Sequence, residues 1–199
     1  KSINFKLNQK NILVTFHSVT LEHFTAKIQF QALLSSISKL QNTKVIFTKA
    51  NSDTDGRVIN SMIDDYVANY NNTIAFASMG QLKYLSALQF MDAVVGNSSS
   101  GLTEAPSFNI ATIDIGDRQK GRIKADSVIS CSPTQESIDH SFERLYSKDF
   151  QNIVNSTKNP YEKGGASKAI VKIIKQTDFN GILKKSFYNL KIDLRGSND

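Results

Sequence analysis

The chain has 199 residues, enough for one domain that buries roughly 70% of its unfolded surface without help from disulfides or metals. Hydrophobic residues make up 40% of it and glycine and proline only 10 and 3 positions, which excludes disorder, collagen and coiled coil; no apolar run approaches the ~18 residues of a membrane helix, and the lone Cys131 excludes an intramolecular disulfide. Twenty-four basic against 18 acidic residues give a charge of +6 and favour an anionic partner. With no tryptophan and no block of five cations, nucleic acid is the weaker partner; a phosphorylated small molecule is expected, with no membrane partner, and an evenly solvated basic surface is the alternative explanation of the charge. Lys1-Ser2-Ile3-Asn4 has no apolar signal-peptide run and no initiator methionine, so a cytoplasmic location and a piece of a longer protein are expected.

Asn11–Phe16 reads as a β-branched strand buried on both faces. A helix is expected from about His23 to Leu40, with Phe24, Ile28, Leu33, Leu34, Ile37 and Leu40 at helical spacing. Lys44–Thr48 is a second strand, and Asn51–Gly56 a capping turn into a helix whose apolar face is Val58, Met62, Ile63, Tyr66 and Val67. Thr73–Phe76 (strand), Gln81–Phe90 (helix), Ala93–Val95 (strand), Leu102–Ala105 (short helix) and Ala111–Ile115 (strand) follow. Ser127–Ser130 is a sixth strand, Pro133-Thr134 opens a helix through Tyr146, and Ala166–Gln176 is an amphipathic helix with Ala169, Ile170, Ile173 and Ile174 on one face. This alternation means βαβ units and an α/β fold with a parallel sheet. Ligands of such sheets lie beyond the carboxyl ends of the strands, near the switch in strand order.

Three segments after strands carry the candidate chemistry. Phe16-His17-Ser18-Val19-Thr20 fits a helix-capping turn as well as a ligand contact. Gly96-Asn97-Ser98-Ser99-Ser100-Gly101 leads into a helix start whose free N–H groups and neighbouring hydroxyls suit a phosphate; Glu104 could favour the helix dipole or hold a ribose diol. The run matches neither the P-loop nor the dinucleotide fingerprint. Gly116-Asp117-Arg118-Gln119-Lys120-Gly121-Arg122 places three cations near a strand end, with Lys120 and Lys124 expected on the solvated side. Asn51–Gly56 begins like a calcium loop, but Met62 stands where the bidentate glutamate belongs. The three histidines and one cysteine lack metal-ligand spacing, so neither metal nor cofactor is expected.

Taken together, the Gly96–Glu104 and Gly116–Arg122 segments resemble the hydrolysing UDP-N-acetylglucosamine 2-epimerases of sialic-acid-type sugar biosynthesis. Phe16–Thr20 is similar to that family's His-Pro-x-Thr segment, with Ser18 in place of the proline, and Asn159-Pro160-Tyr161 through Ser167 to its approach to the last helix. The resemblance spans about Asn11 to Gln176 and implies one Rossmann-like half of a GT-B arrangement, the C-terminal one, over residues 1–177, with 178–199 a C-terminal helix or tail in which Leu183, Phe187, Leu190 and Ile192 could dock. It implies that His17 and Arg118 act on the departing diphosphate and that Ser98, Ser99, Gly101 and Glu104 bind UDP, with Met79 and Gly80 bordering the uracil. The implied partners are UDP, a UDP-N-acetylhexosamine, an N-terminal domain of the same enzyme and further copies in a homo-oligomer. A GT-B glycosyltransferase half and a non-catalytic binding module are the alternatives.

Overall fold

A computed structural model describes residues 3–19, 25–51, 54–162, 164–184 and 187. Two units divide the chain, Lys1–Glu162 and Lys163–Asp199. In the first, six strands form one parallel sheet: β1 (Lys10–Thr15), β2 (Thr43–Thr48), β3 (Thr73–Phe76), β4 (Ala93–Gly96), β5 (Ala111–Ile115) and β6 (Val128–Cys131). Their order is β3-β2-β1-β4-β5-β6, so the direction of winding reverses between β1 and β4. Register across the switch pairs Val14 with Val95 and Thr15 with Gly96, bringing both strands to an end side by side.

Alternation along the strands sorts the core onto two faces. Ile12 and Val14 of β1 point to one face, with Val45, Phe47, Val95 and Ile113. Helices α1 (Ala26–Ile37), α2 (Thr54–Asn69), α5 (Gln135–Leu145) and α6 (Lys148–Ser156) cover it, with Phe30, Ile59, Phe142 and Phe150 buried. Leu13, Ile46 and Val94 point to the other face, beneath α3 (Gly80–Leu88), the one-turn α4 (Ser100–Thr103) and a 3-10 turn over Ala105–Phe108. Helices therefore flank both faces, as the sequence pattern implied.

Several boundaries differ from expectation for physical reasons. On α2 the buried residue is Ile59, while Val58 is 39% exposed: Ile59, Met62, Ile63, Tyr66 and Val67 keep the i, i+3, i+4, i+7, i+8 stripe, and Val58 lies one step off it. The helix expected at Leu102–Ala105 is instead Ser100–Thr103, followed by the 3-10 turn where Pro106 enters. The expected α3 residue Phe90 lies beyond the helix and is exposed. Helix α6 was not anticipated, although Ser147 caps it by accepting from the Phe150 N–H at 3.3 Å. The anticipated cap of α5 is present, Thr134 accepting from the Ser137 N–H at 3.4 Å.

The second unit contains α7 (Ala166–Gln176), where the sequence expected it. Ile170, Ile173 and Ile174 are all at least half exposed within the chain. The docking element expected near Leu183–Ile192 reaches outside the described residues at Leu190 and Ile192, as do Thr20–Phe24, which include the start expected for α1, and Ser52 and Asp53 of the capping turn.

Candidate nucleotide site at the sheet switch point

The carboxyl ends of β1 to β4 open into a cavity of about 480 Å³. His17 enters from the loop after β1, Met79 and Gly80 from the start of α3, and Ser98 and Glu104 from the segment after β4, so five of the eight expected residues line one space. Thr15 and Thr48, the last residues of their strands, form its floor, their hydroxyls 2.6 Å apart. Lys49 adds a cation that is paired with Asp64 at 2.7 Å.

Glycine is required where β4 ends. Gly96 has φ +133, and a Cβ there would overlap the Thr15 carbonyl oxygen. Gly101, by contrast, does not line the cavity. It packs on β5, where a Cβ would stand 2.5 Å from the Thr112 methyl, and its carbonyl accepts from Thr112 Oγ1 at 2.6 Å. Ser99 is not part of the lining either, and its carbonyl accepts from Thr103 Oγ1 at 3.0 Å. Because α4 is a single turn, its dipole is small.

A relay of hydroxyls orients Glu104. Ser100 Oγ donates to Glu104 Oε2 at 2.5 Å, and the Tyr84 hydroxyl lies 2.6 Å from Ser100 Oγ. A carboxylate only accepts, so the serine proton goes to Glu104 and the tyrosine proton to Ser100. Burial pushes the Tyr84 phenol up from its ordinary value, against the lowering effect of the Ser100 bond, which keeps it a donor. One oxygen of Glu104 is held by the relay while the other can face a ligand.

Arg118 is an exposed residue whose Nη1 donates to the Asn97 carbonyl at 3.0 Å, and the buried Gln119 donates to the same oxygen at 2.8 Å. The arginine thereby stands beside the serine segment without lining the cavity itself. Lys120 is exposed as expected and pairs with Asp117 at 3.3 Å. Lys124 is not on the solvated side: its Nζ reaches the buried Asp114 carboxylate at 2.8 Å and Ser130 Oγ at 2.7 Å. Burying Asp114 without a cation would be costly, and this pairing anchors the loop instead. Asn159 and Tyr161 brace the same region, Asn159 Nδ2 donating to the Thr103 carbonyl at 2.8 Å and the Tyr161 hydroxyl to the Ile123 carbonyl at 2.8 Å.

The chain as a whole has counterparts among known proteins. The model of the UDP-N-acetylglucosamine 2-epimerase family matches residues 1–175. The chain belongs to this family. It is 36% identical over 192 residues to a GDP/UDP-N,N'-diacetylbacillosamine 2-epimerase (hydrolyzing) of Campylobacter jejuni, covering 96% of this chain and 50% of that protein. It is 35% identical over 170 residues to the polysialic acid biosynthesis protein P7 of Escherichia coli, covering 85% of this chain and 43% of that protein. The chain thus spans about half the length of the curated relatives it matches. Among solved structures, the S. aureus MnaA–UDP co-structure superposes with a TM-score of 0.68 at 17% identity, over 84% of this chain and 44% of that one. The UDP-GlcNAc 2-epimerase from Neisseria meningitidis bound to UDP-GlcNAc gives 0.62 at 19% identity, over 87% and 46%. At these identities the superpositions speak for the fold, which is Rossmann-like and one half of the GT-B arrangement.

Thr15, Thr48, Lys49 and Tyr84, none of them singled out in the sequence, line the cavity of this epimerase-family chain, as does Ser100, which stood in the serine run without a role of its own. The two threonines were within reach, because strand-end positions are where such sheets bind ligands. Tyr84 sits mid-helix with no motif around it. A second cleft of about 450 Å³, between Ile3, Phe5 and Leu7, the α3 residue Leu82 and Phe90 beyond the end of α3, is mostly apolar, with Lys83 and Ser86 at its edge. Among the described residues no three of His, Cys, Asp and Glu come together as metal ligands, and no helix is long and apolar enough to cross a membrane.

Proposed function

We propose that this chain is the UDP-sugar-binding half of a hydrolysing UDP-N-acetylglucosamine 2-epimerase, working in the cytoplasm with a second domain of the same enzyme. The observation that carries this is the convergence of His17, Ser98, Glu104 and Gly80 on one polar cavity at the sheet switch point. UDP would lie there with its uracil against Met79 and Gly80 and its ribose diol on Glu104. Its diphosphate would meet Ser98, His17 and the Arg118 guanidinium; Ser99 and Gly101 would serve by shaping the loop. Residues 1–177 would form the nucleotide-binding domain, with 178–199 an appended segment.

In the overall reaction the C2 proton of the sugar is removed and the C1–O bond breaks, releasing UDP and leaving an unsaturated sugar. Water then adds across that double bond, its hydroxyl to C1 and a proton to the opposite face of C2, giving the free 2-epimer. Charge develops on the departing diphosphate, and donors fixed around it lower the barrier. The relatives' names support an acetamido sugar, N-acetylmannosamine or a diacetamido analogue as product. The proton-handling groups would come from the other domain, and full activity from an oligomer of complete chains.

Calorimetric titration of the chain with UDP, paired with a UDP-release assay on UDP-N-acetylglucosamine, tests this. Weak, saturable UDP binding without turnover is expected. Robust release of UDP by this chain alone, or no binding at millimolar UDP, would sink the half-site assignment.

A further inference from the structure

We propose that Asn97 is the positioning residue of this site, holding the His17 loop and the Arg118 loop in one fixed relation before any ligand arrives. Its ligand rests on the nucleotide reading above; its geometry does not.

Asn97 follows Gly96 at the switch point and has no exposed surface. Its side chain clasps the His17 backbone in both directions: Oδ1 accepts from the His17 N–H at 2.8 Å, and Nδ2 donates to the His17 carbonyl at 2.8 Å. Its own N–H donates to the Thr15 carbonyl at 3.2 Å, extending the β1–β4 ladder. Its carbonyl oxygen accepts from Arg118 at 3.0 Å and from Gln119 at 2.8 Å, which fills both lone pairs. One buried residue therefore joins the loops after β1, β4 and β5.

The side chain must be an amide of this length. Aspartate would keep the acceptor facing the His17 N–H but set a second, charged acceptor against the His17 carbonyl, with no exposed surface to relieve it. Glutamine is one methylene too long to clasp the same peptide without moving it. The effect on Arg118 follows from its shape. One of its five N–H groups is committed to the Asn97 carbonyl, so the plane of the fork is set and the other donors remain for an anion. Ordering a loop and a long side chain on binding weakens affinity, and here that ordering precedes the ligand.

Hydrogen exchange of the His17 amide in the unliganded chain, read together with UDP affinity, tests the role in Asn97→Asp and in the milder Gln119→Ala. In Asn97→Asp the carboxylate set against the His17 carbonyl should push the loop off its clasp, so that the His17 amide exchanges about tenfold faster and UDP binds about tenfold or more weakly. Gln119→Ala should keep His17 protected and weaken UDP by a few-fold, because the Arg118 bond to the same carbonyl remains; it also reports if Asn97→Asp does not fold. Unchanged His17 exchange in Asn97→Asp would overturn the clasp. Faster exchange with unchanged UDP affinity would overturn the positioning role, as would Gln119→Ala binding UDP like the wild type. If the wild-type chain binds no UDP, the nucleotide assignment falls, and the exchange arm alone decides whether Asn97 holds the loop.

Discussion

Replacing Arg118 by alanine removes a cation that stands beside the serine segment with its fork already oriented. The loop itself should survive the change. Gln119 still donates to the Asn97 carbonyl at 2.8 Å, Lys124 still reaches Asp114 at 2.8 Å, and the Tyr161 hydroxyl still holds the Ile123 carbonyl at 2.8 Å. Stability should therefore fall by no more than about 1 kcal/mol, the net value of the single hydrogen bond lost. Binding is a different matter. A guanidinium-to-phosphate hydrogen bond contributes about 1.5–3 kcal/mol, so UDP affinity should fall by roughly ten- to 150-fold. Lys120→Ala is the control on the same loop, because Lys120 is 78% exposed and its ion-pair partner among the described residues, Asp117, is itself 72% exposed. Its effect should be confined to long-range attraction and vanish as salt shortens the screening length to about 8 Å and below. Calorimetric titration of UDP into both variants at low and high salt separates them. A larger loss for Lys120→Ala than for Arg118→Ala at high salt would refute the placement of the arginine beside the diphosphate.

Lys124→Ala should destabilise the fold by about 3 kcal/mol, the lower end for breaking a buried pair because the lysine itself is 28% exposed, as read by denaturant unfolding; a change under about 0.5 kcal/mol would remove the Asp114 anchor from the account. Tyr84→Phe takes away the proton that Ser100 accepts, so UDP should lose its preference over 2′-deoxy-UDP while the binding of inorganic pyrophosphate stays the same in parallel titrations. Stability should fall as pH rises above about 10. Burial and, after it, charge repulsion from the Tyr70 phenol push the Tyr66 phenol up to about 12, so between the unfolded value and that one the unfolded chain has released a proton that the folded chain retains. Tyr66→Phe should flatten that part of the pH–stability curve.

The sheet was legible because its strands are short β-branched runs buried on both sides, as Ile12-Leu13-Val14 and Ala93-Val94-Val95 show, and because helical stripes separate them. Errors arose where the local signal was one residue wide, as with Val58 against Ile59, or where a capping serine was overlooked, as with Ser147 ahead of α6. The candidate site was legible in its motifs but not in its wiring. Asn97 and Gln119 stood inside the quoted segments as spacers, yet the partner of Asn97 lies 80 residues earlier in the chain. Lys124 looked solvated because the carboxylate it neutralises is on a strand ten residues back, where Asp114 reads as one more β5 position. Tyr84 carried no signal, since a tyrosine mid-helix is ordinarily core or surface, and only the fold brings it 2.6 Å from Ser100.

The most direct measurement is mapping of amide shifts in the isotope-labelled chain as UDP is added. The account predicts that the perturbed amides cluster at His17, Gly80, Ser98 and Glu104, around the cavity between β1 and β4. Perturbations centred instead on Leu82 and Phe90 of the apolar cleft, or none at saturating UDP, would contradict it.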